Sequence, residues 1–119
     1  MFVAAVDDGP RVEFLWWEEC PSWERALAQL REAMSELGLD PSAIEVIQID
    51  TDEAARRREF VGSPTIRIDG RDVQPPREDE VAGLACRVYR HRDGRISPLP
   101  DPDDVRDALL RARRDAASG

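Results

Sequence analysis

The chain has 119 residues, of which 41% are hydrophobic and 35% are charged, and its formal net charge is −8 at pH 7. This length predicts one domain with one core, and the acidic charge argues against nucleic acid and anionic lipid as partners. No apolar run approaches the roughly 20 residues that a membrane span needs. Residues 1–6 are too few, and lack the basic flank, to form a signal peptide. The sequence therefore predicts a cytoplasmic protein.

The first half of the chain predicts a strand, a helix and a second strand after a loose N-terminal arm, residues 1–10. Residues 11–17 form the first strand, and apolar residues on both of its faces are typical of a central strand that is covered on both sides. A long amphipathic helix runs from about Pro21 to Leu37, where Gly38 ends it. Ala43 to Ile49 is the second strand. It is predicted to be parallel to the first because the intervening helix is long enough for a crossover.

The second half predicts a short helix, a hairpin, an irregular excursion and a final helix. Residues 52–60 make the arginine-rich short helix. Thr65 to Ile68 is the third strand, which returns through a tight turn into a stub of a fourth. Residues 81–100 show no clear periodicity, and their prolines exclude a long helix or a central strand. An acidic, proline-containing helix start at residues 101–104 predicts the last helix, which completes one domain over residues 11–116.

Cys20 is the first candidate for chemistry. It lies between the end of the first strand and the start of the first helix. At such a position, the free backbone N–H groups and the helix dipole favour a negatively charged sulfur. The neighbouring carboxylates of Glu18 and Glu19 raise the pKa of a thiol, so the sequence leaves the balance open. A thiol that is merely buried is the alternative.

The order of these elements, with Cys20-Pro21 at the first helix and Pro64 before the third strand, resembles the thioredoxin superfamily. The resemblance covers roughly residues 11–74 and the last helix. It implies a thioredoxin-like three-layer α/β/α sandwich in the order β-α-β-α-β-β-α, with a loop excursion before the last helix. It also implies a cis Ser63–Pro64 bond that lies against Cys20. The neighbours that it assigns to the active site are Pro21, Ser22, Trp23, Ser63 and Pro64.

The redox motif of that family has a second cysteine three residues after the first, and here that position is Trp23. Without a second thiol, Cys20 cannot resolve a mixed disulfide from within the motif. The sequence therefore fits a monothiol-type oxidoreductase in which Cys20 is the nucleophile. Its partner would be a thiol or disulfide, carried by a protein or a small molecule, and no cofactor is implied.

Cys86 is the candidate partner for Cys20, 66 residues later in the chain. One interpretation is a packed small hydrophobe. The other is that Cys86 faces Cys20, which would allow a reversible disulfide or a two-thiolate site for a soft metal ion.

A second resemblance concerns the segment that begins at Cys86-Arg87-Val88-Tyr89, with the proline-rich turn and Asp-rich helix start after it. This part is similar to the C-terminal region of alkylmercury lyases, which hold mercury between two cysteines and use an aspartate to deliver a proton. The position of that aspartate is Trp23 here, and Glu18 or Glu19 would have to replace it. The resemblance implies mercury binding by Cys20 and Cys86 more readily than lyase activity.

Three further groups have two interpretations each. His91, the single histidine, lies in a basic turn that is either a solvated hairpin tip or an anion-binding loop. Arg56 to Arg58 is either the solvated face of a helix or a site. The tryptophans near Cys20 belong to the core and its rim, or line an apolar groove. In that last case the protein would be a redox-silent binding module that docks a partner near Pro64.

Overall fold

A computed structural model describes the backbone of residues 9–118 and the side chains of residues 9–115. Residues 1–8, which make up most of the predicted arm, lie outside this range. Within the described range, no helix combines the length and the apolar character that crossing a membrane requires.

A mixed four-stranded sheet forms the centre of the fold. Its strands are β1 (Val12–Trp16), β2 (Glu45–Gln48), β3 (Thr65–Ile68) and β4 (Arg71–Asp72), in the spatial order β2-β1-β3-β4. β1 is parallel to β2 and antiparallel to β3, and β3 is antiparallel to β4. The predicted parallel pair, the predicted hairpin and the central position of β1 are all confirmed.

Three α-helices flank this sheet: α1 (Trp23–Glu36), α2 (Asp52–Arg57) and α3 (Pro102–Ser118). A 3₁₀ turn, Pro41–Ala43, leads into β2. Apolar side chains at helical spacing give α1 its buried stripe, and Gly38, with φ of 75°, follows the helix where the left-handed region is required.

α1 begins two residues later than predicted, at Trp23 rather than Pro21. Ser22 is the N-cap residue, and its carbonyl accepts the hydrogen bond from Ala26 N–H at 3.1 Å. Cys20 and Pro21 instead lie in the turn between β1 and α1, where Cys20 N–H donates to Trp17 O at 3.1 Å. The thiol therefore lies just ahead of the helix and not in its first turn.

The two faces of β1 are buried in two separate clusters, because successive side chains of a strand point to opposite sides. Val12 and Phe14 pack with apolar residues of α1 and α3. Leu15 packs on the other face, with Ala55 of α2 and with Phe60. The chain is thus an α/β domain with helices on both faces of its sheet.

The excursion before α3 was predicted as a loop, but it contains a second, two-stranded sheet. β5 (Tyr89–Arg90) and β6 (Ile96–Ser97) pair antiparallel around a turn that contains Gly94. Each strand has only two residues, so no alternating pattern is long enough to be recognised in the sequence.

Candidate functional site

Cys20 is held in the turn between β1 and α1 by contacts from two serines. Its side chain is only 1% exposed. Its Sγ lies 3.2 Å from Ser22 Oγ, and as a thiol it donates to the backbone carbonyl of Ser63 at 3.3 Å. Two residues that the sequence placed at the site, Ser22 and Ser63, therefore touch the sulfur directly.

These contacts lower the pKa of Cys20. Burial is the largest single effect and raises the pKa, because it penalises the charged form. The hydroxyl and backbone N–H of Ser22, the side chain of Ser63 and the thiol of Cys86 act together in the opposite direction and outweigh it. The Ser22 N–H at the helix start supplies the kind of stabilisation that the sequence predicted for a thiolate.

Ser63 and Pro64 form the opposite wall of the site. The Ser63–Pro64 peptide bond is cis, as predicted. Ser63 is fully buried, and its Oγ accepts a hydrogen bond from Trp17 N–H at 3.0 Å. This bond joins the loop before β3 to the end of β1, next to Cys20.

Cys86 lies directly across from Ser63 in an isolated parallel bridge. Ser63 N–H donates to Ala85 O, and Arg87 N–H donates to Ser63 O, each at 2.8 Å. The Cys86 side chain is exposed, so the interpretation as a packed small hydrophobe is wrong. The alternation of the segment explains this, since Arg87 and Tyr89 point inward and take the buried positions.

The structure brings the two cysteines to the same residue, since Cys20 Sγ contacts the carbonyl of Ser63 and Cys86 is paired with Ser63. Both are free thiols, and each alters the ionisation of the other. The pKa of Cys86 is raised first by the partial loss of its hydration beside the protein, and then by the charge of Cys20 and a hydrogen bond to it. One sulfur is thus the preferred thiolate and the other the preferred thiol. Among the described residues, no group of three or more His, Cys, Asp and Glu side chains is placed to hold a metal ion.

Arg87 anchors the segment that carries Cys86, a role that sequence reasoning missed. Its guanidinium is buried and donates to both carboxylate oxygens of Asp72, at 2.7 and 3.0 Å. It also donates to Thr65 Oγ1 at 3.1 Å and lies 4.5 Å from the centroid of the Tyr89 ring. The only available sign was an arginine within an apolar stretch, since such a charge needs a partner when it is buried.

Tyr89 forms the side of the site that faces the protein interior. Its side chain is 1% exposed and its hydroxyl donates to Pro64 O. Burial raises the pKa of this hydroxyl well above its usual range, so it stays protonated and remains a donor. Pro64 is itself fully buried. Pro64 is therefore covered by the chain's own segment.

The three tryptophans near Cys20 do not line one groove. Trp16 and Trp23 stack with ring centroids 4.1 Å apart and pack against the core between the sheet, α1 and α3. Trp17 packs against the cluster on the opposite face. Each is half-buried, which fits the rim of a core. The acidic neighbours Glu18 and Glu19 are exposed.

The other candidates from the sequence are His91 and the arginines at positions 56–58. The Nε2 atom of His91 lies 2.8 Å from Leu99 O, so this ring is anchored and is not simply solvated. Arg92, next to it, donates to Asp104 at 2.9 Å and to Asp107 at 2.7 Å, which ties the β5–β6 hairpin to α3. Arg56 to Arg58 are exposed, as expected for the solvent-exposed face of the short helix.

Ser22→Ala should raise the pKa of Cys20, because burial remains while a stabilising hydroxyl is lost. The experiment uses a Cys86→Ser background, in which Cys20 is the only thiol, and follows the ultraviolet absorbance of the thiolate against pH. The curve should move to higher pH. Ser35→Ala, at an exposed position of α1, is the control and should leave it in place. An unshifted curve in Ser22→Ala would contradict the assigned role of the hydroxyl.

Gly62→Ala should displace the segment that carries Cys86. Gly62 has φ of 153°, and a Cβ there would lie 3.0 Å from Arg87 Cβ and 3.2 Å from two of its backbone atoms. We expect the unfolding free energy to fall by about 1–3 kcal/mol. The pKa of Cys86 should also move toward its ordinary value, as measured by alkylation rate against pH.

The matched control for Gly62 is Gly94→Ala, since Gly94 also has a positive φ of 93° but a Cβ would meet nothing within 4 Å. It should cost about 1 kcal/mol through backbone strain and leave the alkylation of Cys86 unchanged. Equal effects of the two substitutions on Cys86 would show that the close approach at Gly62 has no role in the site.

Comparison of the chain with protein-family models, with curated proteins and with solved structures gives no match. The two thiols and the groups that hold them are therefore the basis on which function is inferred.

Proposed function

We propose that this protein is a thiol–disulfide oxidoreductase of thioredoxin-like fold in which Cys20 is the nucleophile and Cys86 is the second thiol of the redox pair. The observation that carries the proposal is the placement of the two sulfurs. Cys20 Sγ contacts the carbonyl of Ser63, the residue with which Cys86 is paired, and the pKa values of the two thiols are shifted in opposite directions. Such a pair holds a ready nucleophile and a second thiol that can complete a disulfide.

The arrangement of the chain around Cys20 agrees with the thioredoxin-like resemblance. The parallel β1–β2 pair, the β3–β4 hairpin and the cis Ser63–Pro64 bond beside Cys20 are features that the resemblance implies. We therefore include the thioredoxin-like fold, with a cytoplasmic location, in the proposal. A reducing compartment would return the pair to its dithiol form.

The second thiol distinguishes this proposal from a strict monothiol mechanism. Trp23 occupies the position of the motif's second cysteine, but Cys86 reaches the same sulfur from a distant part of the chain. In the oxidative half-reaction, the pair loses two electrons and two protons and forms one S–S bond. A substrate disulfide accepts them and becomes two thiols. The external thiol that a lone Cys20 would require is then unnecessary.

The structure favours this function over the redox-silent binding module. That alternative needs an open, tryptophan-lined groove near Pro64. Pro64 is buried beneath Tyr89, and the tryptophans divide between the two faces of the sheet.

Thiol–disulfide exchange by the purified protein is the direct test. The reduced wild type should convert to an intramolecular disulfide in excess glutathione disulfide and should reduce a model disulfide such as insulin. Cys20→Ser should lose both activities, and Ser35→Ala should keep both. The proposal fails if Cys20→Ser behaves like the parent, or if peptide mapping of the oxidised wild type finds no bond between Cys20 and Cys86.

A soft-metal site is the second candidate, and the closeness of the two thiols is the observation that favours it. Thiolate sulfur is the ligand type that soft ions prefer. Lyase chemistry is not part of this candidate, because Trp23 is stacked on Trp16 where the proton donor of alkylmercury lyases would stand.

Titration with mercuric ion tests the second candidate. The wild type should bind one ion per chain tightly, and both Cys20→Ser and Cys86→Ser should bind it far more weakly. Each single variant would still contain one thiol, so it serves as the control for simple thiol capture. An affinity that is the same in all three proteins would remove the candidate.

A further inference from the structure

We propose, building on the oxidoreductase function above, that the external disulfide meets Cys86 first, and that the cleft beside Cys86 selects a disulfide that carries negative charge. Cys20 then acts within the protein, as the nucleophile that attacks the sulfur of Cys86. This order differs from the one in which Cys20 attacks the substrate directly.

Access to the two sulfurs points to this order. Cys20 is 1% exposed and lies behind the loop at Ser63, whose carbonyl its thiol contacts. Cys86 is exposed and lies on the outer side of the same bridge. A substrate can therefore reach Cys86 in the structure as it stands, whereas Cys20 is shielded from solvent.

The cleft beside Cys86 has a volume of about 830 Å³ and is rich in guanidinium groups. Four arginines line it, Arg77, Arg87, Arg90 and Arg92, with one carboxylate, that of Glu80. The guanidinium of Arg87 is already paired with Asp72. The surrounding protein is strongly acidic, with a formal net charge of −8. On such a protein, an arginine of this cleft that has no carboxylate partner would favour an anionic ligand beside the exposed Cys86 sulfur.

Arg90 is the arginine best placed to meet a ligand. Arg92 is shared between Asp104 and Asp107, and Arg77 lies 3.5 Å from Asp79. Arg90 is exposed, and within the described part of the chain its guanidinium forms no ion pair. Its charge is therefore available to a carboxylate on the substrate.

Apolar side chains in the same cleft favour a substrate that has an apolar part as well as a negative charge. Val88 is 61% exposed and Ile96 is 60% exposed, and both line the cleft with Cys86. Removing such side chains from water is favourable when an apolar group covers them. The preferred substrate class is thus a disulfide with an apolar body and a carboxylate.

The reaction balances in two steps. In the first, the Cys86 proton passes to the Cys20 thiolate as the Cys86 sulfur attacks the substrate R–S–S–R′, which forms Cys86–S–S–R and releases R′–S⁻. That thiolate takes the proton from Cys20. In the second, the Cys20 thiolate attacks the Cys86 sulfur and forms the Cys20–Cys86 bond. The leaving R–S⁻ takes a proton from water. The substrate gains two electrons and the protein loses two.

Dithiobis(nitrobenzoate), a dianionic aromatic disulfide that releases a coloured thiolate, tests the order of attack. The wild type should release two thiolates per chain and retain none. Cys20→Ser should release one and retain one, which peptide mapping should place on Cys86. Cys86→Ser should react much more slowly, because Cys20 is shielded. Cys20→Ala serves as the second variant if the serine disturbs the buried position.

Charge selection is tested by comparing this reagent with neutral dithiodipyridine, each rate divided by that of free mercaptoethanol. The wild type should prefer the anionic reagent by about fivefold, roughly the effect of one unscreened contact between surface charges. Arg90→Ala should lose most of that preference. Arg31→Ala, which removes the same charge from the exposed surface of α1, should retain it.

The outcomes separate this inference from the function on which it rests. A wild type that retains two nitrobenzoate groups, with no internal disulfide, overturns the oxidoreductase proposal itself. A wild type that forms the internal disulfide while Cys86→Ser reacts as fast as the parent overturns only the order of attack. Equal normalised rates with the two reagents overturn the anionic substrate class.

Discussion

The site depends on one backbone interaction, the two-sided pairing of Ser63 with residues 85–87. Both polar backbone groups of Ser63 are used, its N–H by Ala85 and its carbonyl by Arg87. The same carbonyl receives the Cys20 thiol. Because the segment is tied to the residue that contacts Cys20, Cys86 is held beside a cysteine from which it is distant in sequence. Without this pairing, Cys86 would have no fixed place beside Cys20.

A buried ion pair keeps that segment in place. Arg87 and Asp72 side chains are 4% and 10% exposed, and their contact is bidentate. Such a pair contributes little net stability against an apolar replacement, but removing one partner costs about 3–5 kcal/mol because the other remains charged and buried. Its effect is therefore on position. It fixes the excursion to the β3–β4 hairpin, and Tyr89 adds a second attachment at Pro64.

Burial and ionisation act against each other at Cys20. Removing the sulfur from water disfavours the thiolate, and this is the largest single effect on its pKa. Several weak donors around the sulfur reverse the result, among them a hydroxyl and an N–H of Ser22. The neighbouring Cys86 takes part in this balance, and its own pKa is raised first by loss of hydration and then by the charge of Cys20 and a hydrogen bond to it. The shielded sulfur is thus the preferred thiolate, and the exposed sulfur is the preferred thiol.

The sequence by itself determined the elements whose signals are local. These signals come from neighbouring residues: the apolar faces of β1, the apolar stripe of α1, the capped start of α3 and the tight turn after β3. The structure has each of these elements within a few positions of its prediction. The grouping of Cys20, Ser22, Ser63 and Pro64 came from the thioredoxin-like resemblance and not from a local pattern. What only the tertiary structure decided depends on long-range pairing: the two-residue strands β5 and β6, the inward turn of Arg87, and the meeting of Cys20 with Cys86. Strands of two residues are too short to show an alternating pattern of apolar residues. The pairing of residue 63 with residues 85–87 joins distant parts of the chain, so it produces no periodic pattern in the sequence.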